Sequence, residues 1–226
     1  MGNVNLLEQV ISLGIPLVFA ITLHEFAHEY VAYLYGDLTA KTKGRLTLNP
    51  IYHINTIGTI MIPAMLFFIS KGAFIFGYAK PVPINFSNLN NPKVQIIWIA
   101  FAGPASNLIQ AICWAVCFLF FEIKIFALEH TLLIQMCKYG VIINVILFVL
   151  NLFPLPPLDG AKVFSGILPN FAAKIIAKIE PFGLFILILL LISEILSKLW
   201  ISPSTNLTLL LIDLLIYPIR FLLQIN

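Results

Sequence analysis

His24, Glu25 and His28 carry the residue types and spacing in this chain that could do chemistry. Two histidines four apart on a helix share one face, about 6 Å apart along the axis. Both imidazoles can then reach one Zn²⁺ at roughly 2.0–2.1 Å. Glu25 lies beside them, placed to take a proton from a water that the metal acidifies. The pattern His-Glu-x-x-His therefore joins two metal ligands to a base for hydrolysis. Random order of this composition would produce it roughly 0.002 times per chain. The plainer alternative has the histidines bonded to other helices and Glu25 paired with a lysine. The setting weighs against it. Residues 10–23 are nearly all apolar, and ionisable groups in apolar spans are costly enough to be read as functional.

The rest of the composition supplies that setting. The 226 residues are 60% hydrophobic and only 10% charged, with a mean hydropathy of +0.99. Soluble domains carry about 25% charged residues, so an integral membrane protein is expected. A net charge of +3 is too small to suggest a nucleic-acid partner. Cys113, Cys117 and Cys137 sit in apolar stretches without a metal-binding or disulfide spacing, and read as packing residues. The first apolar stretch lacks a basic leader and carries the histidines, so it is expected to be retained rather than cleaved.

The chain reads as an all-α polytopic membrane protein with about five to six transmembrane helices. It is expected to be a single integral membrane domain over residues 1–226, with a catalytic core at about 5–170 and C-terminal helices at 181–224. The first span covers 5–35, with Gly14 and Pro16 tolerated inside it. Lys41, Lys43 and Arg45 follow, the densest basic cluster, which places that loop and the histidines toward the cytoplasmic side. Residues 57–79 are apolar but interrupted by Gly58, Pro63, Gly72 and Gly77, and either span or re-enter. Residues 78–83 look extended, with Pro81 and Pro83 suited to an edge. This re-entrant or strand-like segment would lie near the active site. Further spans are expected at 94–121, 131–153, 181–199 and 205–224, with an interfacial helix at 161–178. Ala102-Gly103-Pro104-Ala105-Ser106 favours close helix packing, and the neighbouring Asn107 needs a hydrogen-bond partner. The multi-pass chain would lie in the cell (inner) membrane, in contact with the lipid bilayer.

A catalytic zinc takes three protein ligands and keeps one open position. Glu29 points about 100° away from His28 around the helix. Asp37 lies about 13 Å beyond His28 along a continuous helix. Asp213 has apolar neighbours and no polar companion. Asp159 fits best. It follows Asn151-Leu-Phe-Pro154-Leu-Pro156-Pro157-Leu158, whose prolines end the helix and extend the backbone. Irregular backbone at membrane depth is tolerated only when buried or lining a wet cavity. A helix N-cap is the alternative role for Asp159, compatible with ligation.

His24-Glu25-x-x-His28 together with Asn151-x-x-Pro-x-Pro-x-Leu158-Asp159-Gly160 closely resembles the site-2 protease family of intramembrane zinc metalloproteases. Gly77-Tyr-Ala-Lys80-Pro-Val-Pro and Ala102-Gly-Pro-x-x-Asn107 also look like small prokaryotic members, those without PDZ or CBS domains. The resemblance covers roughly residues 15–170. His53-Ile-Asn55-Thr56 departs from it, because related sequences often show His-Ile-Asp-Pro there. The resemblance implies one zinc per chain held by His24, His28 and Asp159, with Glu25 as base. It implies Asn151 as oxyanion donor or substrate aligner. His53, Asn107 and Lys80 are weaker candidates for substrate or active-site support. The substrate partner would be a transmembrane protein segment, locally unwound, with which residues 78–82 could pair by strand addition. A zinc-binding membrane transporter or an inactive membrane-binding module could use the same histidines. A transport site has no need of Glu25, and inactive relatives often lose a member of the set, so the intact set favours the protease.

Overall fold

The computed structural model describes residues 6–55, 58, 61, 65, 83–122 and 131–223. Whether 57–79 span or re-enter, the extended stretch at 78–82, and Lys80 lie outside the described residues, apart from three isolated positions.

Helix α1 runs Leu6–Leu34 and carries Pro16 in its interior. A short α2, Thr39–Thr42, follows. Single turns of 3₁₀ helix occur at Pro50–His53 and Phe86–Asn88. Then come α3 (Pro92–Glu122), α4 (Thr131–Asn151), α5 (Asp159–Ile167) and α6 (Asn170–Ile192). A π-helical turn, Ser197–Ile201, leads into α7, Ser202–Leu222. No strand occurs among the described residues. Five of these helical stretches are long and apolar enough to cross a membrane: 7–34, 92–121, 132–151, 170–192 and 197–222. The chain is an all-α polytopic membrane protein.

Helices α1, α3 and α4 pack on one another and form the centre. Lipid gives apolar helices no hydrophobic reason to associate, so fit and polar contacts decide the packing. Small residues supply the fit: Ala111 and Ala115 on α3 meet Val145 and Val149 on α4 and Ile212 and Ile216 on α7. α6 is the least covered helix. Phe182, Phe185, Leu189 and Ile192 are exposed, and only Gly183 and Leu187 are buried. Such a face suits contact with lipid tails.

Two boundaries differ from the expected ones. The interfacial helix expected at 161–178 is split. Pro169 disfavours α geometry in the residue before it, and Leu168 is extended, with φ −72° and ψ 158°. Its second half is the start of α6, which runs through Pro181 and ends at Ile192 instead of 199. Glu194, with φ 59°, takes the left-handed conformation that stops it. The π turn beyond it then aims Trp200 at α4. The Trp200 indole N–H donates to the Val149 carbonyl at 2.8 Å. Its ring also lies edge-on to Phe153, with centroids 5.5 Å apart, and so supports the segment that leads to Asp159.

Asp37 ties the end of α1 to the segment before α3. Its Oδ1 accepts from Thr39 N (3.1 Å), Thr39 Oγ1 (2.5 Å) and Asn88 Nδ2 (2.9 Å), and its Oδ2 accepts from Asn85 N (2.7 Å). Burial raises this carboxyl, but the Thr39 hydroxyl and the Asn85 and Asn88 donors outweigh it and hold it below the usual value of 3.8. A depressed folded pKa stabilises the fold above the unfolded value, and the gain is lost as pH falls through the folded one. Asp37→Asn is expected to cost about 1–3 kcal/mol at pH 7. Thermal unfolding in detergent should show the gap to wild type closing below pH 3.8.

Candidate metal centre

α1 presents His24 and His28 on its α3-facing side, and α5 begins at Asp159 opposite them. His24 Nε2 and His28 Nε2 are 3.0 Å apart, and each lies 3.1 Å from Asp159 Oδ2. The two imidazoles are nearly perpendicular, at 83°. All three residues are buried, at 7%, 5% and 8% exposure. They are the group of potential metal ligands found among the described residues. Asp159 does not cap its helix: Leu158 occupies the N-cap position, with no side-chain cap. The other Asp159 oxygen, Oδ1, faces Lys162 Nζ at 3.5 Å. One oxygen is thus turned to the histidines and the other to a cation.

The outer nitrogens decide what the inner ones can do. His28 Nδ1 lies 2.6 Å from the Ile99 carbonyl, which can only accept, so Nδ1 carries the proton. His24 Nδ1 lies 2.6 Å from Asn107 Oδ1, also an acceptor. In the neutral imidazoles both Nε2 atoms then point lone pairs at each other and at a carboxylate oxygen. Three electron-rich atoms held this close in a buried site repel unless a cation sits among them. Two histidines and one carboxylate form a known donor set for catalytic zinc, with N and O bonds near 2.0–2.2 Å and a position left open. The residues present fit the metal.

Gly103 of α3 closes the site from above. A Cβ there would collide with Nε2 of both His28 and His24. Its place four residues before Asn107 puts the two on one face of α3, a signal already present in the sequence. Glu25 is half-buried, and among the described residues it makes no hydrogen bond or ion pair.

The remaining candidates each have partners of their own. Asn151 ends α4, and its amide nitrogen donates to the Leu147 carbonyl at 3.0 Å, using one of two hydrogens. Asn107 makes the interhelical bonds its burial demands, one of them to His24 itself. His53 is buried away from the ligand group. Its Nε2 donates to the Thr47 carbonyl at 2.8 Å, and its Nδ1 lies 3.9 Å from Glu29 Oε1. Glu29, fully buried, also faces Arg45 Nε at 3.2 Å. Glu29, Arg45 and His53 thus fasten the segment after α1 to its last turns. Asp213 pairs with Arg220 at 3.0 Å. A cavity of about 610 Å³ is lined by Lys93, Ile96, Pro156, Leu158, Lys162 and Glu180 among others, and none of the three metal-facing residues lines it.

The comparisons with known proteins agree with this chemistry. The family model described as Peptidase family M50 matches residues 123–193. A protein of Bacillus subtilis (strain 168) named "Putative zinc metalloprotease YwhC" is 36% identical over 186 residues, covering 81% of each chain. Two proteins named "Putative zinc metalloprotease Rip2" are each 27% identical. The one from Mycolicibacterium smegmatis aligns over 182 residues, 80% of this chain and 66% of its own. The one from Mycobacterium tuberculosis (strain H37Rv) aligns over 187 residues, 83% of this chain and 65% of its own. No solved structure matches. Fold and site define the class, a multi-pass membrane protein of zinc metalloprotease type. The chain belongs to peptidase family M50, the site-2 protease family.

Proposed function

We propose that the chain is an intramembrane protease that hydrolyses peptide bonds within or near transmembrane segments of membrane-anchored substrates, in regulated intramembrane proteolysis. His24, His28 and Asp159 hold one zinc per chain. The observation that carries this is the convergence of their three ligand atoms at 3.0–3.1 Å. Bound zinc supplies an acidified water and polarises the scissile carbonyl. Glu25 accepts the proton of the attacking water and returns it to the departing amine. The free amide hydrogen of Asn151 is available to the developing oxyanion or to the substrate backbone. Asn107 and the Ile99 carbonyl keep the two imidazoles in register. Lys162 holds the second oxygen of Asp159 and leaves Oδ2 to the metal. The substrate helix must unwind, because its own hydrogen bonds occupy the carbonyls to be cut. Lys41 and Lys43 after α1 support a cytoplasmic-side site in the cell membrane. The whole chain acts as one membrane domain.

The test is reconstitution of the full chain in liposomes with a panel of single-span substrates. Cleavage within or beside the span is expected, with one zinc per chain, loss on chelation and recovery on adding zinc. Zinc crossing the liposome wall while every substrate stays intact would replace proteolysis with transport.

A further inference from the structure

Asn144 lies on α4, fully buried, and touches none of the three metal-facing atoms. Its amide nitrogen donates to the Gly140 carbonyl at 2.8 Å, one turn back on its own helix. That bond turns its Oδ1 outward, toward α3. There Oδ1 accepts from Asn107 Nδ2 at 2.9 Å. The second hydrogen of Asn107 Nδ2 goes to the Ala20 carbonyl on α1, at 3.2 Å. Two acceptors on different helices therefore claim the nitrogen end of the Asn107 amide. Its oxygen end is left facing His24 Nδ1, at 2.6 Å.

An amide can flip end for end at little cost in shape, and a flipped Asn107 would offer His24 a donor. Nδ1 would then have to accept, the imidazole proton would move to Nε2, and the lone pair facing the metal would be lost. We infer that Asn144 is a positioning residue: it locks the Asn107 amide and thereby dictates which nitrogen of His24 is bare. Interhelical polar bonds in membranes often do no more than hold helices together. Here the direction of every bond in the chain from Gly140 to His24 is fixed, and the last one ends on a metal-facing imidazole. His28 provides an internal comparison, because its Nδ1 is held by a backbone carbonyl that cannot flip. The inference rests on His24 being a zinc ligand, as proposed above.

The experiment reads the ¹⁵N imidazole shifts of metal-free protein in micelles at pH 8. Wild type should show His24 and His28 both protonated at Nδ1. In Asn144→Leu, and in Asn144→Ala, which adds no bulk, His24 should become a mixture of tautomers while His28 stays unchanged. Zinc affinity by chelator competition should fall about 10–100-fold. Adding Asn107→Asp to either variant should restore both readings, because a carboxylate accepts with either oxygen and needs no orientation. Unchanged His24 and zinc affinity in both single variants would overturn the assignment. So would equal disturbance of His28, or a double variant no better than the single one. The tautomer is read without metal. A wild type that binds no zinc therefore sinks the proposed function and leaves this test standing.

Discussion

Glu25→Gln is expected to lower cleavage by about 10²–10⁴-fold, the usual contribution of a general base, and to leave zinc content unchanged. Glu25 follows His24 directly, so it sits beside the metal group without belonging to it. Its half-buried carboxylate has no hydrogen-bond or ion-pair partner among the described residues. A carboxylate fixed in a structural pair would be held for stability, and its amide would cost about 1–3 kcal/mol of it. An unengaged one is free to take a proton. Glutamine keeps the size and the hydrogen-bonding reach and removes only the basicity. Initial rates on a cleaved single-span substrate, with metal analysis of the same preparations, decide the matter. Wild-type rates in the variant would move the base elsewhere. Loss of zinc would make Glu25 a ligand.

How much of this was legible in the chain depends on the range of each interaction. His24 and His28 are four residues apart, and helix geometry alone sets their relation. Asp159 is 135 residues from His24, yet its proline-rich approach marks a helix broken where irregular backbone must be buried. That local oddity separates it from Glu29, Asp37 and Asp213, which the structure gives to Arg45, to Thr39 with two asparagines, and to Arg220. Asn107 was legible as a polar residue in need of a partner, but the identity of the partner was not. That depends on the rotation of α3 about its axis, which is set by packing with α1 and α4. Asn144 is harder still, because one asparagine in a long apolar run gives no hint of what it faces. The break at Leu168 follows from Pro169 by a local rule, whereas Pro181, the same residue type, sits inside α6. Proline marks a boundary only where no neighbouring structure accommodates it.

Gly103→Ala is expected to give a folded protein that holds no zinc and cuts nothing. The added methyl would meet Nε2 of both His28 and His24. It therefore arrives against the ring atoms that face the metal group. Neither imidazole can yield without cost, because each is tethered at Nδ1, one to Asn107 Oδ1 and one to the Ile99 carbonyl, both at 2.6 Å. Either the rings rotate off those tethers or α3 moves away from α1, and both outcomes separate the ligand atoms. Disturbing only the partners of a metal ligand costs about 10–100-fold in affinity. Displacing two ligands should exceed the upper end of that range. The fold has less at stake: alanine gains up to about 1 kcal/mol of helix propensity over glycine, set against about 1–3 kcal/mol for overpacking. Gly166→Ala is the control. Its methyl would collide with Ile97 and the Lys93 carbonyl where α5 packs on α3, and it meets neither histidine. It should lower the unfolding temperature comparably and keep the metal. Equal zinc affinity in wild type and Gly103→Ala would mean that the metal does not sit among these three side chains. A comparable loss of zinc in both glycine variants would mean that close packing of α3, and not the space above the imidazoles, is what the site requires.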